Sequence, residues 1–170
     1  YAVWQEIVVS GSAENFTYQK GQTSVTITGY TGPFGEKVDL VIPSYIDGLP
    51  VVAIEGRMNP SQKDPGKPLR SLTLPDTLVR LGEGNFSFII IRESVTIPAG
   101  VREIGRDCFR VSEFSLAFEE GSALTPIDEY AFRSANTRNV LVLPGGLRVL
   151  CTGAFGSAVI PGWVPPGTRV

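Results

Sequence analysis

Histidine is missing from all 170 residues, and with it go the commonest general base, the usual activator of a nucleophile and the commonest zinc ligand. Most hydrolase and metalloenzyme arrangements fail at that point. The chain therefore reads as non-catalytic, with no cofactor and no metal. Cysteine is scarce as well: only Cys108 and Cys151 are present, and without histidine they leave a metal site almost no ligands. Net charge is small, 15 basic residues against 17 acidic giving −2. The long-range field that draws proteins onto phosphate backbones or anionic lipid is lacking, so no nucleic acid is expected as a partner. No apolar run approaches the roughly 18 to 20 residues of a membrane span. The longest are short stretches such as "FIII" at 88, and no membrane insertion is expected. The chain starts at Tyr1 without a methionine, which reads as a trimmed start.

What is present points to a repeat. Hydrophobic residues make up 42% of the chain, enough for a continuous core, and 19 glycines with 13 prolines suit many short strands separated by tight turns. The stretches "LVRLGEGNF" at 78, "VREIGRDCF" at 101, "LTPIDEYAF" at 124 and "LRVLCTGAF" at 147 share one skeleton. Leu81, Ile104, Ile127 and Leu150 are each 23 apart, and so are Phe86, Phe109, Phe132 and Phe155. A period held this strictly while the polar letters change predicts a solenoid of stacked coils, with these eight residues forming its structural core.

Before each anchor lies a strand-like segment: "DLVIP" at 39, "SLTLP" at 71, "SVTIP" at 94, "SLAFE" at 115, "VLVLP" at 140 and "SAVIP" at 157. Alternation turns Leu72/Leu74, Val95/Ile97, Leu116/Phe118 and Leu141/Leu143 toward the anchors. No coil buries these alone, because its top and bottom stay open until a neighbour stacks about 4.8 Å away. One unit is longer by two between strand and anchor, in "FEEGSAL", and the connection before it is shorter by two, so the total stays at 23.

Read as "L-x-L-P-x-x-L-x-x-I-G-x-x-A-F", the segments "SVTIPAGVREIGRDCF" and "LVLPGGLRVLCTGAF" resemble the BspA-like, or treponemal-type, leucine-rich repeats, over about residues 16 to 161. The entry segments "FTYQKGQTSVTITGYTG" and "VDLVIPSYIDGLPVVAI" are similar to that family's β-hairpin cap and first coil. The resemblance implies a leucine-rich-repeat solenoid, a right-handed superhelix that is mainly β with a parallel sheet, and short turns or 3-10 segments on the other side. It also implies a bacterial extracytoplasmic protein, in the periplasm, on the outer surface or secreted, with a protein of host or envelope as partner and adhesion among its roles. The expected organisation is one repeat domain: a hairpin cap over 1–37, repeats over 38–156 and a partial repeat or cap over 157–170. An insertion, "EGRMNPSQKDPGKP" within 55–68, replaces the expected "G-x-x-A-F" after Ile54 and reads as a surface loop.

Residues that suggest chemistry read as scaffold. Cys108 shares the small inward column of Ala131 and Ala154, and Cys151 lies two coils on, beyond disulfide reach. Glu119 and Glu120 read as turn residues, and Asn15 and Asn85 stand in chance glycosylation tripeptides. Glu83, Arg106 and Glu129, like Arg80 and Glu103, are 23 apart and predict a neutralised charge ladder on one side. On the other side the outward strand positions run Val41, Thr73, Thr96, Ala117, Val142 and Val159, flanked by uncharged small residues and Asp39. With Val140 and Trp163 they form the candidate protein-binding face, since a smooth unguarded strand surface is what docking requires. The competing expectation is self-assembly, a homo-oligomer built through that face or through an open C-terminal end.

Overall fold

A computed structural model describes residues 13–59 and 68–164. The chain enters through a 3-10 turn, Ala13–Asn15, and an antiparallel hairpin of β1 (Phe16–Lys20) and β2 (Val25–Tyr30). β3 (Asp39–Val41), β4 (Tyr45–Ile46) and β5 (Leu49–Ile54) build the first coil. β6 (Ser71–Thr73) with β7 (Arg80–Leu81), β8 (Ile90–Ile97) with β9 (Glu103–Ile104), and β10 (Glu113–Phe118) with β11 (Pro126–Ile127) build the next three. β12 (Asn136–Thr137), β13 (Leu141–Val142) and β14 (Val149–Leu150) form the last full coil, and β15 (Trp163–Val164) starts another.

Each coil contributes to two opposite sides. On one, the strands lie in the order β1-β2-β5-β7-β9-β11-β14, all parallel beyond the hairpin, with Ile54, Leu81 and Ile104 in register and then Ile127 and Leu150. This side was expected to carry short turns; its two-residue strands instead form the longest ladder of the molecule. The side expected to hold the main sheet is divided into three pieces, β3-β6, β8-β10-β12 and β13-β15. The 3-10 turn at the entry is the single helical segment among the described residues.

Between the sides runs the aromatic column. Phe86 stacks on Phe109 at 5.5 Å between ring centroids, Phe109 on Phe132 at 5.2 Å and Phe132 on Phe155 at 5.0 Å, with interplanar angles of 15°, 8° and 5°. These spacings follow the rise of one coil, so backbone pairing sets the ring separation and the rings fill the space between turns. Leu81, Ile104 and Ile127 are fully buried beside them. Each anchor also ties its coil to the next: the amides of Phe86, Phe109 and Phe132 donate to the carbonyls of Cys108, Ala131 and Ala154 at 2.8, 2.7 and 2.7 Å.

The start of the insertion does not read as the sequence suggested. Met58 is fully buried and its amide donates to Asn85 O at 2.8 Å, the bond that the phenylalanine makes in the coils that follow up to Phe132. Met58 is thus the first coil's anchor, a flexible thioether filling the place of a ring. Asn59 is buried beside it, its Nδ2 donating to Phe88 O, so 58–59 belong to the core and not to a surface loop. The rest of that insertion, 60–67, lies outside the described residues, as do 1–12 of the cap and 165–170 of the C-terminal segment.

Two further columns keep the repeat period in the backbone alone. Gly84, Asp107, Tyr130 and Gly153 have φ of 63°, 52°, 58° and 67°, and Phe88, Val111, Ser134 and Ser157 have φ of 57°, 54°, 56° and 55°. The coils from Gly84 onward each turn twice through the left-handed region, even where a phenylalanine, tyrosine or valine occupies the turn.

Candidate protein-binding surface

The two sides of the solenoid differ in charge. On the long ladder Arg80 bridges two coils at once, to Glu55 at 2.6 Å and to Glu103 at 3.2 Å. Arg106 pairs with Glu129 at 3.3 Å and lies over the ring of Tyr130, which also carries Arg133. The expected pairing of Glu83 with Arg106 is not among the ion pairs of the described residues. These pairs are half-exposed and contribute at most about 1 kcal/mol each; they hold Arg80 and Arg106 against carboxylates of neighbouring coils.

The divided side carries the candidate face. Asp39, Leu40 and Val41 pair with Ser71, Leu72 and Thr73, and Ser94, Val95 and Thr96 with Ser115, Leu116 and Ala117, so the outward residues share columns. Thr73, Thr96 and Ala117 are exposed and Val41 is half-exposed. Asp39, the single charged flank, is paired with the guanidinium of Arg70 and accepts a hydrogen bond from Ser71 Oγ. Val140 and Val142 stand out at 53% and 48% exposure.

Two of the sequence assignments shift. Val159 is highly exposed but bridges to Asn136, in the column of Glu113 and not in that of Ala117 and Val142. The place next to Leu141 and Val142 is taken by Trp163 and Val164 of β15, so Trp163 sits at the register position of Leu141 and not at that of Val142. The spacing held the warning: Val142 and Val159 are only 17 apart, whereas Val142 and Val164 are 22 apart. Leu150, assigned to the core, is 44% exposed because among the described residues no coil covers it. Leu141, Leu143, Leu150, Phe155 and Ile160 line an apolar hollow of about 180 Å³ at this end.

The charged rim was missed. Arg92 and Glu93 bulge out of β8 where its register with β10 slips, and both are exposed beside Thr96. A groove was missed too. It has a volume of about 800 Å³ and opens between β10 and β13, with Ala117, Glu120, Asn139, Val140 and Val142 on its walls. Its sequence signal was the mismatch of two in "FEEGSAL".

Neither cysteine offers reactive chemistry. Burial pushes the Cys108 thiol far above its ordinary range, and desolvation, with the carboxylate of Asp128 beside it, raises that of Cys151. Both are free thiols. Asn85 is fully buried with Nδ2 donating to Gly56 O at 3.0 Å, which makes it structural and not a glycan acceptor. Glu119 accepts from the amide of Ala99 at 2.7 Å and so ties its turn to the preceding coil. Among the described residues no cluster of three metal-ligating side chains occurs, and no helix is long and apolar enough to cross a membrane.

Parallel coils stacked around an aromatic column, with a ladder of ion pairs along one side and uncharged strand columns on the other, define a mainly-β repeat solenoid whose surface is available for recognition. Six copies of the BspA type leucine-rich repeat match residues 65–160, and the chain belongs to that family. No curated protein matches it. Among solved structures it is similar to the pneumococcal vaccine antigen PcpA, with 16% identity and a TM-score of 0.56 over 86% of this chain and 47% of that one. It is also similar to the leucine-rich-repeat protein TpLRR of T. pallidum, with 22% identity and a TM-score of 0.50 over 91% of this chain and 70% of that one. These likenesses are of fold, and the chain spans about half the length of the pneumococcal protein.

Proposed function

We propose that the domain is a non-catalytic recognition module of a bacterial surface or extracytoplasmic protein, and that it binds a protein partner through the divided strand side. The observation that carries this reading is the contrast between sides. The ladder side is closed by ion pairs, while Thr73, Thr96, Ala117, Val140 and Val142 expose small uncharged side chains over successive coils. Adhesion to host matrix or to other cells is the role that the family resemblance favours. The test places a charge on each side in turn: Thr96→Glu is expected to abolish capture of matrix or envelope proteins, and Glu103→Gln to leave it intact. Capture unaffected by Thr96→Glu contradicts the reading.

A second reading is favoured by one specific observation, the apolar hollow around Leu150 and Phe155 beside the outer edge of β14. In it the exposed end joins a second copy. Light scattering after gel filtration separates the two readings: a dimer that Leu150→Glu converts to monomer supports assembly, and a monomer at all concentrations removes it.

A further inference from the structure

We infer that the groove between β10 and β13 receives an extended peptide segment carrying a lysine or arginine, whose backbone pairs with Phe118 on one wall and Val142 on the other. The inference rests on the proposal that the strand side is the recognition surface, and it narrows that surface to one place and one chemistry.

The groove arises from a length mismatch. Glu113 and Phe114 pair with Asn136 and Thr137, positions 23 apart, but Leu116 and its counterpart Leu141 are 25 apart. The opposite discrepancy of two exists on the other neighbour, where β8 absorbs it in a bulge and the ladder resumes from Ser94 to Ile97. Toward β13 the ladder does not resume. Instead the side chain of Asn139 stands in for a strand at the narrow end. Its Oδ1 accepts from Leu116 N at 2.8 Å and its Nδ2 donates to Leu116 O at 2.9 Å.

Nothing does this for the next pair of groups. Glu119 N donates to Ile97 O on the β8 side, so alternation turns the N–H and C=O of Phe118 the other way, into the groove. Leu141 N donates to Gly162 O on the β15 side, so those of Val142 turn back toward Phe118. Neither residue's backbone has a hydrogen-bond partner across the groove among the described residues. Unpaired backbone groups that turn into a groove from either wall are a template for an incoming extended segment.

Charge selects the segment. Glu119 and Glu120 stand on the rim, and no lysine or arginine is among the groove's lining residues. Glu119 is held by Ala99 N, whereas Glu120 is exposed and is left to meet a cation. The exposed methyl groups of Ala117, Val140 and Val142 beside the opening suit small or branched side chains on alternate residues of the guest.

The experiment is selection of random dodecapeptides on the intact protein, followed by fluorescence polarisation and amide exchange with the enriched sequences. Enriched peptides are expected to carry a lysine or arginine among β-formers and to slow exchange at Phe118 and Val142. They should bind at least tenfold more weakly to Glu120→Lys and to Val142→Pro, which deletes an N–H that no other strand uses. Thermal melting verifies that Val142→Pro folds, and if it does not, Glu120→Lys alone decides. Binding that survives in Glu120→Lys, or that leaves both amides unprotected, overturns the inference. If Thr96→Glu removes such binding instead, the groove is excluded while the strand side stands as the surface. Peptides indifferent to all three variants overturn both. Protection of Phe118 and Val142 that grows with protein concentration and no peptide would put a second copy there, again contradicting the inference.

Discussion

The interior coils and the last coil use the same letters and meet different fates. Phe109 and Ile104 have a coil above and a coil below and are fully buried. Among the described residues Phe155 and Leu150 occupy the same columns with a neighbouring coil on one side only, and the second is 44% exposed. A repeat residue is therefore buried by its neighbours and not by its own coil, and stability is a property of interfaces between turns. The entry side shows what a finished end requires. There β1 and β2 pair antiparallel, β2 then joins β5 in parallel, and the outer strand presents Thr17, Gln19 and Lys20 to solvent.

The sharpest way to break this comparison is to remove one ring from each region. Phe109→Ala opens a cavity shared by two coils and should cost about 3 to 5 kcal/mol. Phe155→Ala should cost less than half of that, because among the described residues its ring stacks on one neighbour, Phe132, and not on two. Urea titration of the two variants checks it, and equal losses would mean that burial is not shared between turns.

Cys108 separates the regions by pH. Folded, its thiol keeps its proton well above the ordinary value of 9.0, whereas the unfolded chain releases it near that value. The folded state then binds more protons, so this contribution is complete below about pH 9 and falls as pH rises, by about 1.4 kcal/mol per unit. Cys108→Ala should flatten the decline in chemical denaturation between about pH 8.5 and 10. A decline unchanged in Cys108→Ala would contradict the assignment.

Smaller effects come from turns and from charge. Val111 holds φ at 54°, a conformation costly for a branched residue. Val111→Asn should raise stability by about 1 kcal/mol, read as a higher melting temperature. Arg80→Ala removes a bridge between three coils that is half-exposed throughout, and should cost about 0.5 kcal/mol or less after solvent screening. That loss should disappear in molar salt.

Much of this architecture was legible because it is written in residue identity at a fixed interval. The four phenylalanines, the aliphatic partners and the Arg80–Glu103 and Arg106–Glu129 pairs all follow from the constant period. What escaped was written in conformation or in small departures from the period. Met58 anchors the first coil without being aromatic, and Ile54 and its partner Leu81 are 27 apart where later partners are 23 apart. The left-handed columns pass through Phe88, Val111 and Tyr130, residue types that give no hint of such a turn. Val159 fell in a segment shaped like the earlier strands but set too close to Val142. The groove comes from a discrepancy of two that one neighbour of β10 absorbs and the other does not, an outcome decided by packing and by the side chain of Asn139.

The most direct measurement of shared burial is native-state hydrogen exchange along the anchor column. Phe86, Phe109 and Phe132 donate their amides to the following coil, and no such bond exists for Phe155 among the described residues. The account predicts slow, closely matched exchange at the first three and exchange faster by orders of magnitude at Phe155. Equal protection at all four, or an interior amide that exchanges as fast as the last, would contradict it.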